Sequence, residues 1–270
     1  MADWLESPAV QAGVAPLLVG FLIALALHRT RFTWLAVVAG VAVATALTTG
    51  FDMTPLTAGR KIMLLAFAAP IAGFAADHMT PKRGVRIAVP VVAGLLTWWV
   101  FASVLAQREG TQRIALAIFV AVAVGVTVAA VDLVRHDGLR SSAVGVGAGL
   151  AVGIAAVISA SVGFLMNGVA LAAGSGAVAL SQVITRREVA PGFFGALSIG
   201  LPFALFAAGA FILAELPWYA LILMPVVPIA ATLPRHRRRG TFLHGLFLLT
   251  LVLIAAMLPI TAAWLATRST

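Results

Sequence analysis

The sequence predicts an all-α polytopic integral membrane protein, a bundle of about ten transmembrane helices. Three observations predict it. Of 270 residues, 62% are hydrophobic and 10% charged, with a mean hydropathy of +1.08, whereas a soluble domain carries roughly 25% charged residues. Apolar stretches long enough to cross a bilayer core of roughly 30 Å recur ten times. Basic residues gather in alternate loops, as membrane insertion requires. The remainder is two short termini and short loops, so residues 1–270 read as one transmembrane domain. Function must then lie within the bundle, at its rims or on a partner.

Taken in order, the first helix is expected over 9–27. It follows an acidic start, Met1 to Glu6, that lacks the basic stretch of a cleaved signal peptide. The second, 33–49, carries Trp34 near its start, an amphipathic ring suited to the inner interface. Before the third, 61–76, Thr54 followed by Pro55 reads as a cap and first helical residue. The fourth, 86–106, carries Trp98 and Trp99 in its outer half, and the fifth is 113–131. The apolar run from 142 to 185 is too long for one span, so Asn167-Gly168 is taken as its turn and divides it into 142–165 and 168–185. Gly145, Gly149 and Gly153 form two successive GxxxG steps in the sixth helix, a pattern that allows close helix contact. In the seventh, Gly174-Ser175-Gly176 is suited to breaking the helix. The eighth, ninth and tenth are expected over 192–214, 217–233 and 242–266. Trp4, Trp218, Tyr219 and Trp264 mark the outer interface.

Placing the N-terminus outside puts 13 of the 18 basic residues on inner loops: Arg29, Arg31, Lys82, Arg83, Arg86, Arg135, Arg140, Arg186, Arg187, Arg235, Arg237, Arg238 and Arg239. The outer side holds Arg60, Lys61, Arg108, Arg113 and Arg268. This distribution predicts both termini outside. It explains the net charge of +9 by anionic lipid rather than nucleic acid, with 235–239 as a cytoplasmic anchor. The preference for Arg over Lys and the abundance of Ala, Val and Gly suggest a GC-rich bacterial genome, hence a bacterial inner membrane.

An internal repeat is also expected. Sliding the chain so that Gly40 meets Gly153 also pairs Ala42 with Ala155, Gly50 with Gly163, Phe51 with Phe164, Met53 with Met166 and Ala66 with Ala179. A small slip pairs Pro81 with Pro191 and Pro90 with Pro202. Residues 33–137 and 142–239 then read as tandem four-helix units, helices two to five and six to nine, sharing one orientation.

Two groups of residues are candidates for ligand binding. The first is the outer segment with Asp52, Arg60 and Lys61, where two cations stand on the side that otherwise avoids them. Beside a helix N-terminus they suit a carboxylate, a phosphate or a lipid headgroup; the alternative is that they reach to the outer headgroups. The second is Asn167, Ser175 and Gln182, polar residues inside the membrane that belong against the bundle interior or a cavity.

Catalytic and metal chemistry find little support. There is no Cys, which excludes thiolate sites and Cys nucleophiles. The five His lie near inner helix ends without metal-ligand spacing. Ser175 and His244 belong to different depths, too far apart for a nucleophile and its base, and Ala173 stands where intramembrane serine proteases carry Gly. No metal, cofactor or enzymatic activity is expected. The expected function is a permease, exporter or facilitator for a small solute or lipid-linked anion. The alternative is a non-catalytic subunit that scaffolds a larger membrane complex. The expected partners are the lipid bilayer, an anionic small molecule or headgroup, and a membrane subunit or second copy.

Overall fold

The computed structural model describes residues 7–51, 54–80, 82–233 and 241–268. Trp4, Asp52, Met53, Pro81 and the basic run 235–239 lie outside them. Ten helices follow one another, and no strand occurs among the described residues. They are α1 (Val10–Ala26), α2 (Arg31–Thr48), α3 (Ala58–His78), α4 (Lys82–Leu105), α5 (Gly110–Asp132), α6 (Gly138–Ile158), α7 (Val162–Thr185), α8 (Gly192–Leu213), α9 (Trp218–Ala230) and α10 (Thr241–Arg268). All but α1 and α9 are long and apolar enough to cross a membrane. The protein is an all-α polytopic membrane bundle.

α8 lies at the centre. Its sequence is apolar on every side, and each residue from Phe193 to Ala210 is buried, as expected of a helix surrounded by others. α3 and α5 pack along it, with α6 beside it. α7 organises the rest of the bundle against α1, α2 and α6. α4 leans on α5 at the periphery, and α10 leans on α6. Small residues set the closest approaches. Gly145 faces Ser175, Gly149 faces Gly168 and Ala172, and Gly153 faces Leu165 and Gly168, so the GxxxG face of α6 lies against α7. By contrast α2 and α3, the segments that the expected repeat equates with α6 and α7, touch in few places.

Several expectations are corrected. The chain reverses at Ser159–Ser161, not at Asn167-Gly168. Ala160 takes a left-handed conformation (φ 62°) and the Ser161 N–H reaches back 2.9 Å to the Ala156 carbonyl. Asn167 and Gly168 therefore lie inside α7. Gly174-Ser175-Gly176 does not break α7, which runs unbroken to Thr185. Gly174 instead admits the backbone of α2, with Gly40 and Val37 against it. α3 is capped by Thr57 rather than Thr54: Thr57 is extended and its hydroxyl accepts the Arg60 N–H. α6 starts at Gly138, four residues early, because Asp137 accepts the Arg140 N–H. Trp34, in the first turn of α2 beside Arg31, is fully buried against the protein rather than facing lipid. Gly195 makes room for its ring, and its indole N–H donates to the Val189 carbonyl at 3.3 Å.

The basic residues separate by end, as the charge pattern requires. Arg31 at the start of α2 reaches Asp77 at the end of α3, and Arg86 at the start of α4 reaches Asp132 at the end of α5. Arg140 at the start of α6 donates to the Ala231 carbonyl just past α9. These contacts place Arg31, Arg86, Arg135 and Arg140 at one end of the bundle. Lys61, Arg113 and Arg268 lie at the other, over the rings of Trp99, Trp98 and Trp264 respectively.

Candidate functional site

A cavity of about 560 Å³ opens at the Lys61 end between α2, α3 and α7. Its α2 wall is built by Thr45 and, one turn on, by Thr48 and Thr49, in a stretch, 35–49, otherwise made of Ala, Val, Leu and Gly. Each hydroxyl donates to a carbonyl four residues back: Thr45 to Val41 (2.9 Å), Thr48 to Ala44 (2.8 Å) and Thr49 to Thr45 (3.3 Å). With their protons engaged, these oxygens present lone pairs to the cavity. Arg60 and Met63 come from α3, and Ser161, Phe164, Met166 and Asn167 from the start of α7.

The electrostatics are two-sided. α3 and α7 both begin at this cavity, so their free N–H groups and positive dipole ends face it. Ser161, which precedes α7, makes no capping bond with its side chain. Arg60 adds a full charge and donates to the Pro55 carbonyl at 2.7 Å. The Asn167 amide, half-buried, makes no hydrogen bond among the described residues. Opposite them, α2 ends at Thr48, so its carbonyls supply negative character. A solute bearing an anionic group on one side and an N–H or O–H donor on the other matches this polarity.

The candidate residues thus divide. Arg60 and Asn167 share the cavity. Asp52 lies outside the described residues. Lys61 turns away: its ammonium donates to the Trp99 carbonyl at 3.0 Å and stands over that residue's ring. Ser175 and Gln182 face the α6 interface instead. Both are buried, with Ser175 Oγ against Gly145 and the Gln182 amide against Gly138, and neither finds a hydrogen-bond partner. No group of three metal-ligating side chains occurs among the described residues. The three threonines had escaped notice, although their spacing on an apolar helix was visible.

The opposite end is closed by polar ties. The Asp77 carboxylate accepts the N–H groups of Phe193 (2.9 Å) and Phe194 (3.2 Å), so α3 caps the start of α8. Gly192, with φ 61°, lies so near that a Cβ there would crowd the carboxylate. Its N–H donates to the Arg135 carbonyl. Arg135 in turn pairs with Asp132 at 2.7 Å and covers the Phe193 ring. Asp77 was missed in the sequence. The available signal was that Pro191-Gly192 gives α8 no capping side chain of its own, so the cap had to come from elsewhere.

No protein-family model matches the chain, and no curated protein matches it at a significant level.

Proposed function

We propose that this protein is a permease-type carrier in a bacterial inner membrane, with both termini outside, that takes up or releases a small solute bearing an anionic group. One observation carries the reading: a cavity at one end, partly lined by threonines, joins Arg60 with Asn167, residues far apart in the chain, while the other end is held by polar ties. Access from one side with closure at the other is what alternating access requires of each end state. The ties that close the Asp77 end are hydrogen bonds and ion pairs at helix termini, which can exchange for water when that end opens.

The test is flux in proteoliposomes containing the purified protein, with radiolabelled inorganic phosphate, lactate, glutamate and, as a control, tetraethylammonium. The expected result is saturable uptake of one or more anions and none of the cation. Arg60→Gln and Asn167→Ala should each lower that uptake severalfold, with Arg60→Gln also reducing its salt sensitivity, because a partly exposed charge acts through a screened field. Lys61→Gln should have little effect on flux, since its ammonium is bonded to Trp99. Absence of saturable flux for every anion overturns the carrier reading.

A second reading, a scaffolding membrane subunit, is favoured by an apolar groove of about 530 Å³ between α1, α6, α7 and α10. Purification from native membranes in mild detergent would then yield a stoichiometric second polypeptide.

A further inference from the structure

A different surface carries a binding site at the arginine-rich end. A groove opens there between α3 and α4, and Leu197 and Leu201 of α8 form its floor. The groove, of about 570 Å³, is walled by Ala72 and Ala75 of α3, by Met79 just past its end, and by Gly84, Ala88 and Val92 of α4. It is almost wholly apolar. On α4 it runs from Gly84 to Leu96, roughly 18 Å at the helical rise, close to the roughly 15 Å of one leaflet's hydrocarbon. It stops there because the next residue on the same stripe of α4 is Trp99, whose ring is held beside α3 by Lys61.

The rim is basic. Arg83, next to Gly84 in the first turn of α4, is exposed and makes no hydrogen bond or ion pair among the described residues. The exposed Arg86 follows one turn later and reaches Asp132. An apolar slot one leaflet deep below a free guanidinium has the polarity of an anionic phospholipid. A partner transmembrane helix needs about 30 Å of open face, and Trp99 interrupts that length.

We propose that this groove holds one acyl chain of an anionic phospholipid from the leaflet at the arginine-rich end, whose phosphate pairs with Arg83. The site is separate from the cavity at Arg60 and independent of transport.

Native mass spectrometry of the protein released from nanodiscs of equal phosphatidylglycerol and phosphatidylcholine tests it. The wild type should retain one phosphatidylglycerol, preferred over phosphatidylcholine by roughly fivefold, the effect of about one basic residue near the headgroup. Arg83→Gln should abolish that preference while a lipid is still retained. Ala88→Trp and Ala75→Trp, exposed positions on opposite walls, should each remove the retained lipid while thermal unfolding in pure phosphatidylcholine stays as in wild type. Arg187→Gln, exposed at the same end away from the groove, should change nothing. The proposal is overturned if Arg83→Gln keeps the preference, if the filled grooves retain lipid as the wild type does, or if the retained species is a second polypeptide.

Discussion

Asp77 shows how one side chain can hold two helices at a chosen distance. Its carboxylate takes the first N–H groups of α8 while its own backbone belongs to α3. Replacing it with Ala leaves those donors uncapped at a buried helix start, at a cost of about 1–2 kcal/mol. Hydrogen exchange should report it: amides of Phe193 and Phe194 should exchange faster in Asp77→Ala, while those in the middle of α8 stay protected. Ser175 and Gln182 make the opposite case. Each is buried without a partner, and an unpaired buried polar group costs roughly 1–3 kcal/mol. Ser175→Ala and Gln182→Met should therefore leave thermal stability in detergent unchanged or raise it, and leave anion uptake intact. A loss of uptake without loss of stability would return these residues to the ligand-binding set.

The packing of elements rests on which glycines touch a backbone. Gly174 meets Val37 and Gly40 of α2, whereas Gly176, two residues on, has only the ends of Val146 and Leu17 at ordinary contact distance. Gly174→Leu should push α2 from α7 and cost about 1–3 kcal/mol; Gly176→Ala should be nearly neutral. Paired unfolding measurements on the two variants decide this. The sequence announced the GxxxG face of α6 and the position of nearly every span, because apolar length and small-residue spacing are local properties. It misled at the α6–α7 turn. Asn167-Gly168 has turn chemistry, but Gly168 is needed for contact with α6, and the reversal uses Ala160 in a conformation that its residue type does not advertise. The Gly174–Gly176 stretch misled for the same reason, since close approach and helix breaking both call for glycine. The cavity was half legible: Arg60 and Asn167 were visible as unusual residues, but their meeting depends on how α3 and α7 pack.

For the whole molecule, the separation of arginines by end makes orientation measurable. The chain contains no Cys, so single cysteines can be introduced without background. Thr111→Cys lies exposed in the first turn of α5, at the Lys61 end, and Ala190→Cys lies between α7 and α8, at the Asp77 end. With both termini outside, a membrane-impermeant maleimide should label Thr111→Cys in intact cells and Ala190→Cys only after lysis. The reverse pattern would invert the protein and turn the Arg60 cavity toward the cytoplasm.

The short ninth helix has a consequence for the surrounding lipid. α9 is interrupted between Leu223 and Val226 and ends at Ala230, so its helical run is roughly 20 Å long, against a hydrocarbon core of roughly 30 Å. Its neighbour α10 runs from Thr241 to Arg268 and exceeds that thickness. Lipids along this flank must therefore pinch on one side and stretch on the other, a hydrophobic mismatch that costs fractions of a kcal/mol per Å. A bilayer of 14-carbon chains relieves the α9 side and one of 22-carbon chains aggravates it, whereas α10 can shed its excess length by tilting, so the protein should be more stable to heat in the thinner membrane.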